Sequence, residues 1–171
     1  MKKLFKVIAV LILVLLIAPV FFPSKISMSR SIEIQASDAS VFSKLADLNE
    51  YNKWNPFPEG DPSNQVNVSG IGMGSSLIWK GQKTGEGKMT IIGMEPNKKI
   101  DIKMEFFEPM RAEGLVHWIT FAKSDIITEM TWTFEQDLTY FNRYFGIMMD
   151  AMMGKHFERG LASFKKMVES K

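Results

Sequence analysis

The chain has 171 residues, 46% of them hydrophobic and 23% charged, with a formal net charge of +2 and no cysteine. After an N-terminal segment there is room for one domain of about 145 residues with a real core. A disulfide scaffold and an acylated lipoprotein are both excluded, because each needs cysteine.

Lys2, Lys3 and Lys6 stand before or within the first apolar run. Without them, 21 basic and 19 acidic residues become 18 and 19, a net charge of −1. No basic stripe remains to track a phosphate backbone, so nucleic acid is not an expected partner. The apolar run itself, Leu4 to Phe22, is broken only by Lys6 and Pro19. At 1.5 Å per residue it spans about 28 Å, near the hydrocarbon thickness of a bilayer, and Lys6 can snorkel to the headgroups. Residues 1–23 are therefore expected to be a single transmembrane anchor. A signal peptide with Val7–Ala18 as its apolar region competes with this reading, but no small-x-small cleavage site follows Ala18. The lysines place the N-terminus inside and the domain on the outer face of the cytoplasmic membrane. Residues 24–27 read as a short stalk and residues 28–171 as the folded domain.

Met28–Ile34 reads as a first strand. Gln35–Asp38 then supplies turn and N-cap chemistry, and Val41, Phe42 and Leu45 have helical spacing. Asn49–Trp54 is a second short helix, stopped by Asn55-Pro56. Strands follow over Gln65–Ser69, Ser75–Lys80, Gly87–Met94, Ile100–Phe106, Arg111–Ala122 and Ile126–Glu135, divided by turn residues. Ile100–Phe106 alternates most cleanly, whereas Arg111–Ala122 is apolar on both faces and leaves its phase open. The last element is one long amphipathic helix over Phe141–Val168. Phe145, Met148, Met149, Met152, Met153, His156, Gly160, Phe164 and Met167 lie on one arc of it, and Arg143, Lys155, Glu158, Lys165 and Lys166 on the other. Short turns between the strands predict an antiparallel meander. Its one apolar face has only the final helix to cover it, so the sheet must curl around that helix.

Five blocks stand out together: Tyr51-Asn-Lys-Trp54-Asn-Pro56-Phe57 with Asp61-Pro62, Gly70-x-Gly72-x-Gly74 through Trp79-Lys80-Gly81, and Gly85-Glu-Gly87-Lys-Met89-Thr90-Ile91. Met130-Thr-Trp132 and Gly154-Lys-His-Phe157-Glu-Arg-Gly160-Leu161 complete them. Together they resemble the START-like, helix-grip (SRPBCC) superfamily, and within it the bacterial branch of polyketide cyclases/dehydrases and lipid-transport proteins. The resemblance implies an α+β helix-grip fold: a curved antiparallel sheet of about seven strands around a long C-terminal helix, two short helices after the first strand, and one transmembrane helix ahead. It also implies a habit of binding hydrophobic molecules but no particular reaction.

The chemical motifs narrow the function further. Gly70, Gly72 and Gly74 precede a strand rather than a helix, so they fit hairpin turns and not a phosphate loop. Two histidines at unrelated positions give no metal-binding spacing, and no cofactor is implied. The expected partners are a hydrophobic small molecule or lipid, in a cavity between sheet and helix, and the membrane. Trp54, Trp79, Met89, Met104, Phe106, Trp132, Met149, Met152 and His156 are the expected lining. The family pattern favours Leu115, His117, Ile119 and Phe121 inward, which adds His117 and puts Trp118 outside. With both imidazoles in one apolar cavity, His117 and His156 are the candidates for proton transfer in a cyclase or dehydratase. A collapsed interior acting through a protein partner is the third reading.

Overall fold

The computed structural model describes residues 2–170. It opens with a helix, α1 (Lys2–Ile17), continued by a 3-10 turn over Ala18–Phe21. The domain follows as β1 (Lys25–Ile34), α2 (Asp38–Leu45), α3 (Leu48–Trp54), β2 (Gln65–Ser69), β3 (Ser76–Gly81), β4 (Gly85–Glu95), β5 (Lys99–Glu108), β6 (Ala112–Ser124), β7 (Ile127–Asp137) and α4 (Arg143–Glu169). The seven strands form one antiparallel sheet in the order β1-β7-β6-β5-β4-β3-β2, so β1 and β2 are its edges. This is the expected helix-grip architecture. Residues 25–27, read from sequence as stalk, are already the first rungs of β1, paired with Glu135–Asp137.

Local chemistry sets the short elements. The Ser37 hydroxyl caps α2 by accepting from the Ser40 N–H, and the Asp47 carboxylate caps α3 by accepting from the Asn49 N–H at 2.9 Å. Asn55, held extended by Pro56, ends α3. In the β2–β3 connection Gly70, Gly72 and Gly74 all have positive φ, a conformation that glycine adopts without steric cost. These glycines build a turn.

The phase of β6 is opposite to the expected one. Gly114, Val116, Trp118 and Thr120 are buried, whereas Leu115, Ile119 and Phe121 are exposed and His117 is half-buried. Register is the cause. Inward Ile100 and Ile102 of β5 stand opposite Trp118 and Val116, while outward Asp101 stands opposite His117. Directly opposed residues of an antiparallel pair share a face, so His117 follows Asp101 outward.

Helix α4 lies across the inner face of the sheet. It approaches closely where it has glycine: a Cβ at Gly160 would come within 3.1 Å of both Trp132 and Pro56, and one at Gly154 would strike the Arg30 guanidinium. Its covered stripe is Gly154, Phe157, Gly160, Leu161 and Phe164. Phe145, Met148 and Met152, which periodicity placed on the same arc as Phe164, are each about 60% exposed. They lie on the side of α4 turned away from Gly146, Asp150 and Gly154, the residues that face Ile26 and Arg30 of β1.

A half-open apolar face under the last helix

The inner face divides into two regions. Toward the C-terminal half of α4 it is filled with aromatic rings. Trp132 stacks on Phe157 at 4.4 Å, and Trp54 packs against Phe164 at 4.9 Å and against both Trp118 and Trp132 at 5.4 Å. Tyr51 closes the cluster, 4.7 Å from Trp54, and its hydroxyl donates to Asn55 Oδ1 at 3.2 Å. Burial pushes the Tyr51 phenol pKa up. The indole N–H groups of Trp54, Trp118 and Trp132 have no conventional acceptor. Of the expected lining, Trp54, Met89 and Trp132 therefore belong to solid core, each 2% exposed.

The second region is the opposite end of the sheet, where β1 begins, β7 ends, and the β3–β4 and β5–β6 hairpins turn. There the inner face is only partly covered. Trp79, Met104, Phe106, Met149 and Met153 are half-buried against the core, and Phe134 is at the margin of burial. Trp79 and Phe106 meet edge-to-face at 5.8 Å, and the Trp79 indole donates to the Thr84 carbonyl at 3.3 Å. Two rings lie flat because glycine sits beneath them. A Cβ at Gly87 would come within 2.2 Å of the Trp79 ring, and one at Gly114 within 2.7 Å of the Phe134 ring. A surface depression adjoins this mouth, lined by Glu105, Phe106, Phe107, Arg111, Ala112 and Glu113. Another lies on the outer side of the last turns of α4.

Polar groups frame this region rather than line it. Asp61 ties the α3–β2 loop to the β3–β4 turn by accepting from the Ser63 hydroxyl and from the Lys83 and Thr84 N–H groups, the last two at 2.9 Å. These donors, the Ser63 hydroxyl foremost and then the Thr84 N–H, hold its carboxyl well below the usual carboxylate range. Arg30, on the inner face of β1, is bracketed by Asp150 at 2.9 Å and Glu158 at 3.2 Å, either side of Gly154. His156 stacks on Phe57 at 5.7 Å, and the Arg159 guanidinium donates to its Nδ1 at 2.9 Å. Arg159 also reaches Glu59 at 2.8 Å, so His156 belongs to a rim contact with the α3–β2 loop.

His117 is elsewhere. It bonds Asp101 through Nδ1 on the outer face. Partial burial raises the Asp101 pKa, but hydrogen bonds from Lys99 and His117 outweigh this and leave it lowered. The sheet stands between His117 and His156, so the paired-imidazole reading fails its geometric condition. Met152 is also placed outside, on the exposed flank of α4. Trp79, Met104, Phe106 and Met149 are the expected residues that the fold brings to the open region. The expected lining omits Phe134 and Met153, although the alternation of β7 puts Phe134 in phase with Trp132 and Met153 lies on the apolar arc of α4.

The open region also adjoins the end of α1. The Tyr140 and Tyr144 hydroxyls donate to the Leu16 and Leu15 carbonyls, and Arg143 Nη1 donates to the Pro19 carbonyl at 3.1 Å. Phe22 packs edge-to-face on Tyr144 at 5.4 Å, and the Leu138 N–H donates to the Ser24 carbonyl at 2.8 Å. The last carbonyls of a helix lack intrahelical donors; Tyr140 and Tyr144 supply two to α1, and Arg143 supplies one to the 3-10 turn that follows it.

Known proteins share this architecture. The chain is similar to an aromatase/cyclase from a Streptomyces species, with 14% identity, a TM-score of 0.58, and 85% of this chain and 94% of that one covered. Norcoclaurine synthase from Thalictrum flavum gives 11% identity and a TM-score of 0.65 over 86% of this chain and 88% of its own. A conserved Enterococcus faecalis protein of unknown function gives 12% and 0.58 over 92% and 82%. At these identities the likeness is one of fold. Comparison with curated proteins gives no significant match. Residues 25–169 match the model of the family described as polyketide cyclase / dehydrase and lipid transport, and a match spanning the whole domain after α1 makes the chain a member of that family.

Proposed function

We propose that this protein is a membrane-anchored binding domain for a hydrophobic or amphipathic small molecule of lipid type, held on the outer face of the cytoplasmic membrane. The observation that carries the reading is the partly covered apolar set Trp79, Met104, Phe106, Met149 and Met153, with Phe134 at the margin of burial beside it, at one end of the inner face. None of these side chains titrates, and the framing cation Arg30 is neutralised by two carboxylates. Such a surface binds by apolar transfer, at about 25 cal/mol per Å² removed from water, and needs no reacting group. The family's description, which includes lipid transport, supports the same reading. The anchor is supported by the helical run Lys2–Phe21, which is 20 residues long, apolar and 6% buried.

The test is direct. Full-length protein purified in detergent is extracted with organic solvent, and the extract is analysed by mass spectrometry. In parallel, an apolar fluorescent probe is titrated into the protein and into a Phe106→Asp variant. A co-purifying lipid, or probe binding that the variant loses, is the expected result. Absence of both in a folded protein sinks the proposal.

A further inference from the structure

The geometry points to a second membrane contact, resting on the anchor reading above: the domain stands end-on, with the mouth of the half-open face and the N-terminal half of α4 pressed into the headgroup layer. Three observations converge on this.

The first is a distance. Only Phe22, Pro23 and Ser24 separate the helical run Lys2–Phe21 from β1, and three residues reach at most about 10 Å. The headgroup region on each side of a bilayer is about 5–8 Å thick. Whatever lies at the β1 end of the sheet is therefore held within or just above that layer. The same end carries the β7 terminus, the β5–β6 hairpin and the start of α4.

The second is what that end exposes. Phe141, Phe145, Met148 and Met152 form a stripe spaced four, three and four residues apart, each about 60% exposed. From Phe141 to Gly154 the only charged residues are Arg143 and Asp150, and each is tied to a partner, the Pro19 carbonyl and Arg30. The β5–β6 hairpin adds exposed Phe107 and Met110 at the same end. A charge-free apolar arc on a helix is the pattern that seats helices at the boundary of headgroups and acyl chains.

The third is continuity. Tyr140, Arg143 and Tyr144 bond the carbonyls at the end of α1, so the stripe begins where the span ends. Tyrosine and arginine at that junction match the chemistry of a membrane interface, with an apolar body and a polar tip. The partner is thus a lipid surface, and the mouth lined by Trp79 and Phe106 opens toward it. A ligand can then enter from the leaflet without crossing water.

The absence of cysteine makes the experiment clean. Single variants Met148→Cys, Met110→Cys, Ile71→Cys and Leu11→Cys of the full chain are labelled with a fluorophore. They are then reconstituted in phosphatidylcholine–phosphatidylglycerol vesicles carrying nitroxide lipids at shallow or deep positions. All four residues are exposed, so the core is untouched. Labels at Met148 and Met110 should be quenched by shallow nitroxide several-fold more than the label at Ile71, on the β2–β3 turn at the far end. The Leu11 label should respond most to deep nitroxide. Quenching at Leu11 with Met148 and Met110 no different from Ile71 overturns the end-on contact alone. Equal strong quenching at all three surface positions overturns its orientation. No quenching at Leu11 removes the anchor, and this inference with it.

Discussion

The two halves of α4 use similar side chains to opposite ends. From Gly154 onward the helix buries Phe157, Leu161 and Phe164, each at 3% exposure or less. Before Gly154 it leaves Phe145, Met148 and Met152 about 60% exposed. The residues are equally apolar, so hydrophobicity does not explain the difference. What lies opposite does. The second half faces rings delivered by α3, β6 and β7, whereas Phe145, Met148 and Met152 lie on the side of the first half turned away from β1, where they stay exposed. One helix thus combines a structural stem with a surface free for another apolar phase.

That contrast can be broken by mutation. Trp132→Ala removes the ring that Phe157 stacks on and around which Trp54 and Trp118 are arranged. It should cost about 3–5 kcal/mol in chemical denaturation, as expected for an aromatic truncated in a core. A cost below about 1 kcal/mol would show that the packed end is as loose as the open one.

Asp61→Asn probes the rim. A carboxyl held below its ordinary value contributes stability above the unfolded pKa of about 3.9, and loses it as pH falls toward the folded value. The wild-type melting temperature should therefore be insensitive to this group at neutral pH and fall in acid. The variant should melt lower at neutral pH and show a shallower acid limb. Parallel curves for the two proteins would remove Asp61 from the framework of the mouth.

The smallest effect is expected on the exposed flank. Met148→Ala and Met152→Ala, made together, should change the unfolding free energy in detergent by no more than about 0.5 kcal/mol. Destabilisation comparable to Trp132→Ala would mean that the flank is covered and that the contrast between the halves is false.

The fold was legible because its signals are local. The alternation Ile100, Ile102, Met104, Phe106 identified β5, and the succession of short turns identified the meander. The phase of β6 was not, because Leu115, Val116, Trp118, Ile119 and Phe121 supply apolar side chains to both faces. Only a non-local fact, the register that sets Asp101 opposite His117, decides it. The β5–β6 turn held the needed information: Phe106 opposite Ala112 centres the hairpin on Pro109 and carries through to that pair. The candidate site was half legible. Trp79, Met104, Phe106 and Met149 came from strand and helix phase, whereas Met152 was misplaced because periodicity reports an apolar arc and not which part of it is covered. Arg30 and the donors at Tyr140, Arg143 and Tyr144 were invisible, since their partners lie 120 or more residues away in sequence.

The contact between those three donors and the end of α1 has a mechanical consequence. A flexible linker fixes only how far a domain can drift, but bonds to the carbonyls of residues 15, 16 and 19 also fix its rotation about the helix axis. In the anchored arrangement the domain and its span then move as one lever. A bilayer thick or thin enough to change the tilt of α1 would tip the mouth by the same angle, making access to the apolar face depend on membrane thickness.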